Sequence, residues 1–159
     1  MIAHWPAGLK TKPGSVTDQP GHLIDFMATF IELAGAKYPQ QIGTRTIDPL
    51  QGRSLVPIFN GEQREAHESL YFHFSTDRAL RQGDWKIASA KKGRWELYNL
   101  AEDRTELNDL SKKFSERVST MAAEWFRIAE QQERLSGKQL APVGGRITPL
   151  KFRGGSKQQ

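Results

Sequence analysis

RALRQGDWKIASAKKGRWELYNL, residues 78–100, decides how this chain is read. Gln82-Gly83-Asp84 places a turn signal in the middle of RALRQGDWKIAS, and AKKGR (90–94) is a hairpin connection in which Gly93 is free to adopt a positive φ. Trp95, Leu97 and Tyr98 stand among polar neighbours, as in a strand with one wet face. Just before this stretch, SLYFHF (69–74) alternates in part. These three strand segments predict an antiparallel sheet over 69–100.

Moving outward, residues 113–135 carry Val118, Met121, Ala122, Trp125, Ile128 and Ala129 at helical spacing, with Glu116, Arg117, Glu124, Arg127 and Glu130 elsewhere on the wheel. One apolar stripe needs one apolar surface, and the adjacent sheet supplies it. Burying Trp125 and its neighbours there contributes about 1.5–3 kcal/mol per large side chain. Residues 69–136 thus read as a small α+β layer.

The first 68 residues read differently. Ile2–Trp5 has the character of a short strand ending at Pro6-Ala7-Gly8. Leu23, Phe26, Met27, Phe30, Ile31 and Ala34 share one helical face, with Asp25 as N-cap and Gly35 as the left-handed residue after the C-terminus. YPQQIGTRTIDPLQGRSLVPIFNGE (38–62), rich in Pro and Gly, reads as an ordered loop. Neither the strand at 2–5 nor the apolar face of the helix finds a partner in the sequence, so a larger preceding domain is expected.

Composition sets further limits. The charge of +5 comes from the last segment: from Gly137 onward lie Lys138, Arg146, Lys151, Arg153 and Lys157 with no acid, and residues 1–136 balance at 18 of each sign. A basic terminus beside a neutral body argues against a nucleic-acid surface. The most apolar run, Leu23–Ala36, is interrupted by Asp25 and Glu32 and is too short to cross a bilayer. No cysteine is present, which excludes disulfides, thiolate nucleophiles and Cys-based metal sites.

Chemistry-bearing patterns are sparse. His4, His22, His67 and His73 form no metal-ligating pair by spacing, and phosphate-binding glycine loops, a Gly-x-Ser-x-Gly elbow and Asp-x-Asp clusters do not occur. His73, between Phe72 and Phe74, points to the opposite strand face from those rings; it either lines a pocket or is a satisfied surface histidine. Asp84 is expected to close a turn, Trp85 to pack under the terminal helix and Lys86 to be solvated, while Asp103 caps a turn leading toward that helix.

The order of these pieces resembles the sulfatases, in particular the arylsulfatase-like enzymes. The resemblance lies in IAHWPAGLK (2–10), GHLIDFMATFIELAGAKYP (21–39), IDPLQGRSLVPIFNGE (47–62), RALRQGDWKI (78–87), WELYNLAEDRTELNDL (95–110) and EWFRIAE in the last helix. It implies an α+β fold: a small antiparallel sheet packed against a C-terminal helix, preceded by the last strand and helix of an alkaline-phosphatase-like α/β domain. The implied divisions are 1–68, the edge of that catalytic domain; 69–136, the C-terminal subdomain; and 137–159, a basic tail. It also implies a sulfuric ester hydrolase in which a formylglycine and a calcium ion, both on the preceding catalytic domain, do the chemistry. No catalytic or metal residue is carried over to this chain. His73 alone is a candidate to border the substrate. HFSTD (73–77) stands where relatives have Glu-His-x-Gly-Asn, so this histidine is displaced by one position, which reverses its strand face unless a bulge compensates. The implied partners are the catalytic domain and, through it, a sulfate ester, in the periplasm or outside the cell, with no membrane and no nucleic acid. Two other readings stand beside this one: a free-standing module for an anionic polymer, and part of a phosphoryl-transfer hydrolase of the same superfold.

Overall fold

Leu80, Ile87 and Leu97 stand in one row across three paired strands and lose all contact with water. In the computed structural model, which describes residues 1–91 and 93–136, this row is the floor of the core. The chain divides into two compact units, Met1–Leu70 and Tyr71–Gln159. The tail expected at 137–159 lies outside the described residues.

The second unit holds a four-stranded sheet in sequence order: β3 (Leu70–Phe74), β4 (Asp77–Gln82), β5 (Trp85–Ser89) and β6 (Glu96–Asn99). Four strands form where the sequence suggested three, because the Gln82-Gly83-Asp84 signal closes a hairpin, with Gly83 at φ 57°. β5 pairs antiparallel with both β4 and β6. In the next connection the left-handed residue is Lys91, φ 50°, and not Gly93. Gly93 answers to a different constraint: a Cβ there would lie 2.8 Å from the Ala90 carbonyl oxygen.

Helix α3 (Ser115–Ser136) covers the sheet. Its stripe buries Met121, Ala122, Trp125 and Ala129 against Leu80, Ile87, Trp95 and Leu97, as the spacing predicted. Trp125 also spends its one polar group: Nε1 donates to the Phe72 carbonyl, 3.0 Å away. The opposite sheet face carries the alternate residues Ala79, Arg81, Lys86, Ala88, Glu96 and Tyr98.

The first unit is built around α1 (Asp25–Leu33), closed by Gly35 at φ 59° as expected. Residues 2–5 form no strand. The Trp5 carbonyl accepts from the Gly8 and Leu9 N–H groups at 3.0 Å, so the chain turns at once, and no described segment lies alongside to complete a ladder. Within the expected loop, β1 (Gln41–Ile42) pairs with β2 (Arg45–Thr46), and α2 (Val56–Phe59) carries Pro57 in its first turn.

Candidate functional site

Asp25 departs furthest from its expected role. The cap position is taken by Ile24, and Asp25, the first helical residue, is completely buried. Its two oxygens take two donors each. Oδ1 accepts from the Arg53 N–H (2.9 Å) and His67 Nε2 (2.6 Å); Oδ2 accepts from the His22 N–H (2.8 Å) and Arg64 Nη2 (3.0 Å). One turn on, Thr29 Oγ1 donates to the Asp25 carbonyl and accepts the Leu55 N–H. The segments 19–25, 51–55 and 62–67 meet at this carboxylate, and Gly52 lets them meet, since a Cβ there would overlap the Ile24 carbonyl.

The electrostatics follow from this geometry. Burial pushes the Asp25 carboxyl up, but the Arg53 and His22 amides, His67 and Arg64 together outweigh it and hold the pKa below the usual carboxylate value. Burial pulls His22 down, which the charge of Asp25 only partly offsets. Because a carboxylate can only accept, His67 carries its proton on Nε2. Four nitrogen donors leave Asp25 no lone pair for a hard cation, which demands several oxygens, so this carboxylate does not fit a calcium ion. Among the described residues no group of three or more His, Asp or Glu is placed to hold a metal.

In the second unit, His73 lies on the α3-facing side of β3. Its ring packs edge-on against Trp125 with centroids 5.4 Å apart, and Nε2 sits 3.0 Å from the Ser75 carbonyl, which fixes the proton there. The other marked residues fall into place. Trp85 packs edge-on against Phe114 and under the Arg117 guanidinium. Lys86, expected to be solvated, instead pairs with Glu106 at 2.5 Å, and its side chain is only 24% exposed. Asp103 accepts the Asn108 N–H at 2.8 Å, which closes the turn before Leu110.

Near His73 stands Arg78, a residue without any marked role in the sequence. Its guanidinium carbon lies 4.5 Å above the centre of Trp95, with Phe126 at 5.6 Å and Trp125 at 5.8 Å. Burial lowers its pKa. No local pattern announces this cage, because Trp95 comes from just before β6 and Phe126 from α3.

The layout of both units has relatives. A family model described as N-sulphoglucosamine sulphohydrolase, C-terminal, matches residues 1–133. The chain belongs to this sulfatase family. Human arylsulfatase D is 43% identical over 74 residues, 46% of this chain and 11% of that relative. The ulvan-active sulfatase of Formosa agariphila is 33% identical over 71 residues, 45% of this chain and 12% of that relative. Among solved structures, Ps i-CgsB in complex with k-i-k-neocarrahexaose superposes with a TM-score of 0.59 at 25% identity, over 87% of this chain and 29% of that one. This sulfatase segment therefore spans well under a third of its relatives' length. Its antiparallel sheet under a terminal helix is the α+β arrangement expected from the sequence.

Proposed function

We propose that this sulfatase segment is the C-terminal part of a hydrolase of sulfate esters, inactive by itself, that completes an alkaline-phosphatase-like catalytic domain. The family match over residues 1–133 carries this reading. The first unit supports it physically. Leu23, Met27 and Phe30 on and beside α1 are 73%, 54% and 62% exposed, a helix face that a soluble protein covers with something. In this reading the catalytic domain covers it. That domain would bring a formylglycine nucleophile and a calcium ion, which together supply attack on the ester and charge neutralisation of the sulfate.

The contributions of this chain are then architectural. Asp25 ties the loop 51–67 to α1, and the second unit stands as a rim with His73 as the candidate nearest the substrate mouth. A periplasmic or extracellular site of action is part of the proposal; among the described residues no helix is long and apolar enough to cross a membrane. The test is sulfate release from 4-nitrophenyl sulfate by the longer protein and by this chain alone. Activity of the longer protein only is expected. Turnover by the 159-residue chain would refute the assignment of the chemistry elsewhere, and a longer protein that cleaves bis(4-nitrophenyl) phosphate but no sulfate ester would refute the sulfatase reading itself. The paired substitution Met27→Asp with Phe30→Asp is expected to abolish co-purification with a separately expressed catalytic domain.

A further inference from the structure

We propose that Arg78 anchors an oxyanion-binding site on the helix-facing side of the sheet, which takes the sulfate or carboxylate group of an anionic ligand. Three observations lead there. First, the Arg78 side chain is unpaired: among the described residues it makes neither a hydrogen bond nor an ion pair, and its Nε, like that of Arg64, is buried without a partner. Arg53, Arg64, Arg94, Arg127 and Arg134 each reach a carboxylate within 3.0 Å. Native structures rarely leave a buried donor orphaned, and where they do, an ion or ligand is a standing explanation.

Second, the guanidinium is held in place before any ligand arrives. Arg78 lies opposite Ser89 on β5 and its guanidinium rests over Trp95, with Trp125 and Phe126 beside it. The cation–π contact holds the guanidinium, and its two Nη groups, which unlike Nε are not sealed from solvent and make no bond among the described residues, are left for a ligand. Two parallel N–H groups on one edge match the two oxygens of a sulfate or carboxylate. Because Trp125 and Trp95 belong to the buried core, little ordering remains to oppose binding.

Third, a second orphaned donor borders the same indole. The Tyr71 hydroxyl is buried without a partner, and its ring stacks on Trp125 at 5.2 Å. Burial, with Glu133 adding its charge, pushes this phenol up to about 12, so it remains a donor at neutral pH. An acceptor at this face therefore meets the Arg78 guanidinium, with the Tyr71 hydroxyl bordering the same indole and the Glu133 carboxylate as the negative charge acting on that phenol. The site is independent of the sulfate-ester chemistry assigned to the longer protein and stands or falls without it.

The experiment titrates the chain with sodium sulfate and, separately, sodium acetate, with sodium chloride holding ionic strength constant. The readouts are the Arg78 Nε–H and the Trp95 and Trp125 indole N–H resonances. Expected are saturable shifts of these signals, abolished in Arg78→Gln. In Arg78→Lys, which keeps the charge but loses the planar fork, affinity is expected to fall about tenfold. Tighter sulfate binding identifies a sulfated ligand and tighter acetate binding a carboxylate one; either supports the site. Shifts that fail to saturate by about 100 mM, that chloride reproduces, or that persist in Arg78→Gln overturn it. The amide spectrum confirms folding of each variant, and Arg78→Lys decides the matter if Arg78→Gln is unfolded.

Discussion

Replacing Asp25 by Asn tests whether the first unit is held by a buried charge. The substitution keeps the volume and one acceptor oxygen but turns an NH2 toward groups that donate. Arg64 and His67 have side chains only 4% and 7% exposed; Arg64 would lose its counter-charge and His67 the carboxylate it donates to. At least one of the Arg53 and His22 amides would lose its acceptor as well. Breaking a buried ion pair from one side costs about 3–5 kcal/mol. Since each 1.4 kcal/mol is about a factor of ten, opening of the first unit should rise by roughly two to four orders of magnitude. Hydrogen exchange read by mass spectrometry measures this directly: peptides spanning 20–67 lose protection, while peptides from β4, β5 and β6 serve as internal control. Protection of 20–67 within about fivefold of the parent, under 1 kcal/mol, would refute the argument that this carboxylate carries the junction. The cycle of Asp25→Ala, Arg64→Met and the double variant should show a coupling above about 0.5 kcal/mol.

Other outcomes follow from the same structure. Trp125→Ala should cost the second unit about 3–5 kcal/mol in chemical denaturation, through a cavity among Leu80, Trp95 and Met121 and the loss of the bond to Phe72. Acid should weaken the first unit before the second. Both His22 and Asp25 have folded pKa values below their unfolded ones, so the stability they contribute is present above the unfolded values and is lost as pH falls, first below about 6.5 and then below about 4; far-UV and exchange measurements at pH 7, 5 and 3 check this order. In alkali, Tyr71 and Tyr98 should resist ionisation to about 12, each held up first by burial, so absorbance near 295 nm should show two delayed phenolates, and the stability they contribute, present below about 10, should be lost as pH rises from there through about 12. Gly52→Ala should destabilise the first unit, because backbone of α1 and not a mobile side chain stands where the methyl would go.

The legible parts of this fold are those written in local periodicity. Helix α3 and the strands before it announce themselves because the partners of Trp125, Leu97 and Ile87 lie within the same unit and each element repeats its own spacing. Gly35 and Gly83 likewise declare themselves by backbone geometry that a neighbouring residue type would strain. Asp25 is the contrary case. An acid at a helix start has a ready local meaning, and its actual donors, Arg53, Arg64 and His67, lie 28 to 42 residues further along. The one available hint was its place as one of two charges in the apolar run Leu23–Ala36. The expected strand at Ile2–Trp5 failed for the complementary reason: apolar character shows a wish to be covered, not the presence of a ladder. Arg78 was invisible because a cation–aromatic cage leaves no trace at any fixed spacing.

The order β3-β4-β5-β6 with α3 next in line has a kinetic meaning. Each hairpin closes over a few residues, so most native pairings form without a long search, and such low contact order favours rapid folding. One closure is long: the Trp125 indole must find the Phe72 carbonyl across 53 residues. That bond joins the first strand of the four-stranded sheet to the last helix. It behaves as a latch, and the change in tryptophan emission as it shuts times the completion of the unit.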